Sequence, residues 1–373
     1  MKEIREILRQ IEELDAGERA VLATVVDLKG SGYRLPGARM LIKASGDTFG
    51  TVSGGCLEAD VLERANRVLG SGRAEVFTYD TTVDENSVFS LNMGCRGVMR
   101  VLLEAVGPDS EIIAALRDVW NTREPIASAV LIGGEGSGIP IGSRIFLRDA
   151  TGMTPRDTCG LCRPFPTLCE DLFTFSGAAS GYETISYETA EGLSEFVFET
   201  LRPPVLLAIL GAGADAVPLA DAAWALGWQV AVYDHRPAFL NRERFANADE
   251  LRLAKRDTAP AVAADGQSAI VLMNHNYDRD KALLPAALRS EAFYVGALGP
   301  KKRTSQMLEE LKDAGETFEI GQIARLRSPA GLDIGGDSPE TIAISIIAEI
   351  QSVLKKRTGG PLKDRMAPIY DRK

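Results

Sequence analysis

The chain has 373 residues, 45% of them hydrophobic and 25% charged, with a formal net charge of −10 and a pI near 5.0. That length allows two domains, each burying its own core, and the acidic balance argues against a nucleic-acid surface, which needs a basic face. Five cysteines form no small disulfide-built secreted scaffold and point to a reducing cytoplasm, and no run of about eighteen apolar residues offers a membrane span.

Ile4, Ile7, Leu8, Ile11 and Leu14 recur at helical spacing and predict an amphipathic first helix rather than a signal peptide. A β-branched strand over 20–28 leads into a loop, 30–37, with Arg34 at its centre. Residues 39–43 and 48–52 alternate around a Ser-Gly-Asp turn and read as a hairpin. Ser53-Gly54-Gly55-Cys56-Leu57-Glu58 then opens a helix, which places Cys56 at a helix N-terminus. There the free N–H groups and the dipole would acidify a thiol or attract a phosphate; a buried structural cysteine is the alternative, and both stay open. Strands over 73–79 and 98–104 flank an acidic loop and a second thiol in a glycine turn, Gly94-Cys95-Arg96-Gly97. A helix over 110–121 and strands over 127–132 and 141–147 complete an N-terminal mixed α/β domain, residues 1–150.

Residues 151–202 read as a linker with at most one strand pair, 183–187 and 196–199. Cys159, Cys162 and Cys169 supply three ligands where a closed zinc or iron–sulfur site wants four, so a thiol cluster is favoured over a metal.

Residues 204–237 form one β-α-β unit. An apolar run over 205–210 suits a strand buried on both faces. Gly211-Ala-Gly213-Ala-Asp-Ala216 follows as GxGxxA, and Asp234 ends the next strand 23 positions after Gly211. That is the spacing at which a pyrophosphate meets a helix N-terminus and a carboxylate meets a ribose hydroxyl; a merely tight strand-to-helix turn is the alternative. Strands over 268–273 and 292–295 follow, with His275 in the loop after the first, a site residue or a turn histidine, and Lys301-Lys302-Arg303 after the second, a phosphate holder or a solvated helix start. A glycine-rich loop, 329–337, precedes a helix capped by Ser338 and Pro339. The expectation is a Rossmann-like parallel-sheet domain over 203–357 and a tail over 358–373.

Gly30-Ser31 through Met40, Gly54 to Glu58, Gly94-Cys95, the Gly211 motif with Asp234-His235-Arg236, Tyr294 to Gly299, and Pro329 to Glu340 together resemble the XdhC/CoxI family, across roughly 4–354. Proteins of that family are accessory proteins, rather than enzymes, of molybdenum hydroxylases such as xanthine dehydrogenase. The resemblance implies that the chain binds molybdenum cofactor as molybdopterin or its cytidine dinucleotide form. It implies further that the chain assists sulfuration by a cysteine desulfurase and delivers the cofactor to the hydroxylase apoenzyme, alone or as a homo-oligomer. Cofactor binding is then expected of Arg34, Gly54, Gly55, Cys56, Cys95, Gly211, Gly213, Asp234, His275 and Lys301, with Cys56 and Cys95 as soft metal ligands. Cys159, Cys162 and Cys169 receive no role from it. The alternative is an NAD(P)-dependent oxidoreductase using the Rossmann domain, and a third reading is a docking module that binds neither cofactor.

Overall fold

The computed structural model describes residues 2–55, 57–80, 97–134, 138–148, 160–177, 181–189, 192–255, 260–367 and 369. Contacts divide the chain into two units, one of Glu3–Pro203 and one built on Pro204–Lys373.

The first unit packs two antiparallel sheets on each other. One has the order β3-β2-β1-β5-β4, from β1 (Ala20–Gly30), β2 (Arg39–Ile42), β3 (Thr48–Gly50), β4 (Glu75–Asp80) and β5 (Gly97–Val106). Alternation along β1 sends Val21, Ala23 and Val25 to one face, under helix α2 (Glu58–Ser71). The other face, Ala20 and Leu22, meets α1 (Lys2–Glu12) and α3 (Glu111–Thr122). As its spacing predicts, α1 buries Ile4, Ile7, Leu8 and Ile11.

The second sheet corrects the linker expectation. Its order is β7-β6-β9-β8, from β6 (Ile126–Gly134), β7 (Arg144–Leu147), β8 (Tyr182–Thr189) and β9 (Gly192–Leu201). Helix α4 (Leu168–Ser176) covers it by setting Leu168, Leu172 and Phe175 against Phe196 and Phe198. The described part of 151–202 is therefore sheet and helix with its own core, and this unit runs on to Pro203. Cys169, in the first turn of α4, is joined to Cys162 by a disulfide, and Cys159 lies outside the described residues. Val26, Leu102, Val130, Ile132 and Val197 meet where the two sheets face each other. Buried ion pairs cross there too, Arg144 to Glu104 as a two-pronged fork at 2.7 and 2.9 Å and Arg39 to Glu199 at 2.5 Å.

The second unit is a six-stranded parallel sheet ordered β12-β11-β10-β13-β14-β15. Its strands are β10 (Leu206–Leu210), β11 (Gln229–Asp234), β12 (Glu250–Leu253), β13 (Ser268–Leu272), β14 (Tyr294–Ala297) and β15 (Leu326–Arg327). Helices α5 (Ala216–Ala225), α6 (Tyr277–Arg289), α7 (Lys301–Asp313), α8 (Ile320–Ala324) and α9 (Pro339–Leu354) connect or flank them. The chain winds outward from β10 to β12, then returns to β13 on the other side of β10. The order therefore reverses between β10 and β13, and ligands of such sheets bind at that point, beyond the strands' carboxyl ends. Edge strands β12 and β15 are absent from the sequence expectation. No helix among the described residues is long and apolar enough to cross a membrane.

Candidate functional site

Of the expected site residues, Gly211, Gly213, Asp234, His275 and Lys301 belong to the second unit and Arg34, Gly54 and Gly55 to the first. Cys56 and Cys95 lie outside the described residues.

The Gly211 turn is a tight crossing of two chain segments. With φ at 123°, a Cβ on Gly211 would stand 2.6 Å from the carbonyl oxygen of Met273 and 2.8 Å from the nitrogen of Asn274. Gly213 gives room to the His275 ring, whose Cδ2 lies 3.5 Å from where a Cβ would stand. Part of the turn's backbone is used by the chain itself. Gly211 N–H donates to the Tyr233 carbonyl at 2.8 Å and Ala212 N–H to Asp234 Oδ2 at 2.7 Å. The Arg244 guanidinium donates to the carbonyls of Ala212 and Gly213 at 2.9 and 3.1 Å.

Asp234 departs from the ribose expectation. It is fully buried, and Arg236 donates to Oδ1 through its N–H and Nε, at 2.9 and 3.0 Å, and to Oδ2 through Nη2 at 2.8 Å. Burial alone pushes this carboxyl up, but the hydrogen bonds from Arg236 and Ala212 outweigh it and hold it down at about 2. The acid is turned inward because an unpaired N–H and a guanidinium two residues on both lie within reach, and no carboxylate atom faces a ligand.

The loop after β13 is built from two anchored asparagines. Buried Asn274 donates through Nδ2 to the Leu210 carbonyl at 2.9 Å and to Asp280 Oδ1 at 2.8 Å. Asn276 caps α6 by accepting from Arg279 N–H at 2.9 Å. Between them His275 takes a left-handed conformation, φ 52°, a costly one for a residue with a Cβ, and half its side chain is exposed. Its Nε2 lies 2.9 Å from Oδ2 of Asp215, the residue preceding α5.

Asp215 and His275 stand at one side of a cleft of about 820 Å³. Leu298, Gly299, Pro300 and Arg303 and the glycine-rich loop 329–336 also line it. That loop is strapped to α9. Ser345 Oγ donates to the Leu332 carbonyl at 2.5 Å, and Gly331 N–H and the buried Tyr294 hydroxyl donate to Glu349 Oε2 at 2.8 and 2.7 Å. Lys301 is exposed at the start of α7 and does not line the cleft, contrary to expectation. The cation that does, Arg303, is engaged by Asp280 Oδ2 at 2.7 Å and the Leu298 carbonyl at 3.2 Å. Asp215 was hidden at a variable position of GxGxxA; only its place ahead of a helix marked it.

In the first unit, α2 begins at Glu58, two positions past Cys56. The Glu58 carboxylate accepts from Ser53 N–H at 3.0 Å, Leu57 N–H at 3.2 Å and the Thr51 hydroxyl at 2.6 Å, and it also accepts from the Ser53 hydroxyl. Ser53 Oγ accepts from Gly55 N–H at 3.2 Å. Burial pushes the Glu58 carboxyl up, but the Ser53 and Thr51 hydrogen bonds prevail and lower it. Gly55, φ 106°, has open space where a Cβ would stand, whereas a Cβ on Gly54 would stand 3.3 Å from the Tyr33 ring. Arg34 is ion-paired with Glu3 of α1. Among the described residues no cluster of three or more histidine, cysteine or acidic side chains is placed to hold a metal.

Comparison with known proteins matches residues 13–80 to the XdhC and CoxI family and residues 207–350 to the XdhC Rossmann domain. The chain is 29% identical over 345 residues to a probable xanthine dehydrogenase subunit of Bacillus subtilis, covering 92% of this chain and 96% of that protein. It is 25% identical over 350 residues to the molybdenum cofactor insertion chaperone PaoD of Escherichia coli, covering 94% of this chain and 88% of that one. A crystal structure of a xanthine dehydrogenase from Bacillus halodurans shares the fold, with a TM-score of 0.71 and 24% identity over 98% of each chain. With both units matched by models of one family and the likeness running nearly end to end, the chain belongs to the XdhC and CoxI family.

Proposed function

We propose that the chain is an accessory protein that binds molybdenum cofactor as cargo and assists its insertion into a xanthine dehydrogenase-type hydroxylase. The observation that carries this reading is the likeness to PaoD, a molybdenum cofactor insertion chaperone, over 94% of the chain. The cleft beside Asp215 and His275 supports it by offering a preformed, mostly apolar site of a size that suits a small molecule. On this reading the partners are the hydroxylase apoenzyme and a cysteine desulfurase, the cargo is molybdopterin or its cytidine dinucleotide form, and the site of action is the cytoplasm.

Cys56 and Cys95 are the soft ligands for the molybdenum or its terminal sulfur, as thiolates suit that chemistry. Replacing Cys56 with alanine lowers cofactor retention or transfer and leaves the melting temperature within a few degrees of wild type. A large drop in melting temperature, with alkylation of Cys56 only on unfolding, identifies a structural cysteine instead.

The oxidoreductase alternative rests on the Rossmann strand order, but NAD(P) fits poorly. The acid that would take the ribose hydroxyls is buried against Arg236, and the N–H beside it is already bonded to that acid. The test of the proposal is to produce the chain together with cofactor synthesis, purify it and assay the pterin released on denaturation. Near-stoichiometric pterin is expected, and its repeated absence overturns the proposal.

A further inference from the structure

The cleft has an unusual polar complement for a Rossmann unit. At the switch point, where a dinucleotide would place its pyrophosphate against the first helix, the residue ahead of α5 is a carboxylate, Asp215, and it lines the cleft. The second acidic side chain of the cleft is Asp333, and its arginine, Arg303, is already engaged by Asp280 and the Leu298 carbonyl. Lys301 stands outside. A phosphate entering here would meet a carboxylate at the helix start and no unengaged arginine, which reverses the usual preference of a helix N-terminus for anions.

The same groups suit a ligand that donates hydrogen bonds. A carboxylate accepts through two oxygens, and Oδ2 of Asp215 lies 2.9 Å from His275 Nε2, which sets the two side chains next to each other in the cleft. The imidazole is fixed in turn. Its Cδ2 and Nε2 edge lies over Gly213, and its backbone is pinned between the Asn274 and Asn276 anchors, so Nδ1 is the nitrogen turned away from both Gly213 and Asp215. The apolar side chains of Pro329, Ala330, Leu332 and Ile334 line the same cleft on a loop clamped by Ser345 and Glu349.

We infer that Asp215 and His275 form the polar anchor of this cleft, reading the N–H edge of a planar 2-amino-4-oxo heterocycle, the head of a pterin, while the phosphate end of the cargo lies elsewhere. The inference rests on the proposed function and specifies which end of the cargo this site takes. A ring amide N–H and the adjacent amino group present two parallel donors, the pattern that a carboxylate accepts in a fork. The flat ring takes its apolar contacts from Pro329, Ala330, Leu332 and Ile334 of the glycine-rich loop. The anchor is a specificity device: a buried or half-buried acceptor pair left unfilled by the wrong ligand costs more than an apolar mismatch does.

The test uses the full chain in two arms. In the first, wild type, Asp215→Asn and His275→Gln are produced with cofactor synthesis and their pterin content is measured, with circular dichroism melts confirming that each variant folds. In the second, unsubstituted pterin is titrated into the cofactor-free chain by fluorescence, with and without excess inorganic pyrophosphate. The expected result is pterin binding weakened about tenfold in Asp215→Asn, less in His275→Gln, and unaffected by pyrophosphate. Equal pterin content and affinity in wild type and Asp215→Asn, or displacement by pyrophosphate, overturns the anchor while leaving the chaperone reading intact. A wild-type chain that carries no pterin overturns both. If Asp215→Asn fails to fold, loss of affinity in folded His275→Gln supports the anchor and unchanged affinity there overturns it.

Discussion

The two glycine turns of this chain look alike in sequence and are alike in a way that sequence conceals. Each leads toward a helix, and each was expected to leave backbone N–H groups open to an anion. In each, a carboxylate of the chain itself takes part of them: Glu58 accepts from Ser53 and Leu57 N–H, and Asp234 accepts from Ala212 N–H. They differ in where that carboxylate comes from. Glu58 is local, five residues from Ser53, and half-buried, whereas Asp234 arrives from the next strand, is fully buried and is clasped by Arg236. Glycines that permit a turn do not by themselves leave it vacant, and the distant carboxylate is the more deeply committed of the two.

The sharpest way to separate the turns is to add one methyl group to each. Gly211→Ala forces a Cβ to within 2.6 Å of the Met273 carbonyl at a φ of 123°, so the crossing must part. A loss of about 3 kcal/mol or more in urea unfolding is expected. Gly55→Ala has open space and suffers only from its φ of 106°, for about 1 kcal/mol. Equal losses at the two positions would erase the distinction.

Next in size is Asp234→Asn, which leaves Arg236 without its pair and costs about 2 kcal/mol. The pH dependence has a definite sign. A carboxyl lowered from its ordinary 3.8 to about 2 stabilises the fold above the higher value, and that stability drains away as pH falls toward the lower one. Wild type should lose roughly 2 kcal/mol through this group between about pH 4 and pH 2, and the Asn variant should lack that component. Superimposable acid unfolding curves would break this account of Asp234. Glu58→Gln is the smaller counterpart. Its carboxyl is also lowered, so its contribution is likewise lost on acidification, and about 1 kcal/mol is expected because the site is half-buried and the amide keeps one acceptor.

Much of the fold is legible in the sequence where a period or a run survives. The buried face of α1, the apolar β10 and the small Ala216 at the start of α5 follow from spacing alone. What escapes is what depends on distant partners. The strand pair over 183–187 and 196–199 is legible, but the four-stranded sheet it joins is not: β8 reads Tyr-Glu-Thr-Ile-Ser-Tyr-Glu-Thr, polar as suits an edge strand paired only with β9. Strands β12 and β15 are four and two residues long at the sheet's edges and carry no apolar run. His275 was visible as a histidine in a carboxyl-edge loop, but its partner was not, because Asp215 occupies a position that the fingerprint leaves free. Asp234 was visible as the acid at the right spacing, yet the direction of a carboxylate depends on which donors surround it, and Arg236 and Ala212 N–H decide that in space.

The central claim is that Asp234 is engaged by the chain's own Ala212 N–H and Arg236 and does not meet a ribose, and calorimetric titration of the cofactor-free protein with NADH tests it most directly. The account predicts no binding heat up to millimolar NADH, in wild type and in Asp234→Ala alike. Micromolar binding by wild type that Asp234→Ala abolishes would contradict it, since Asp234 would then be meeting a ribose.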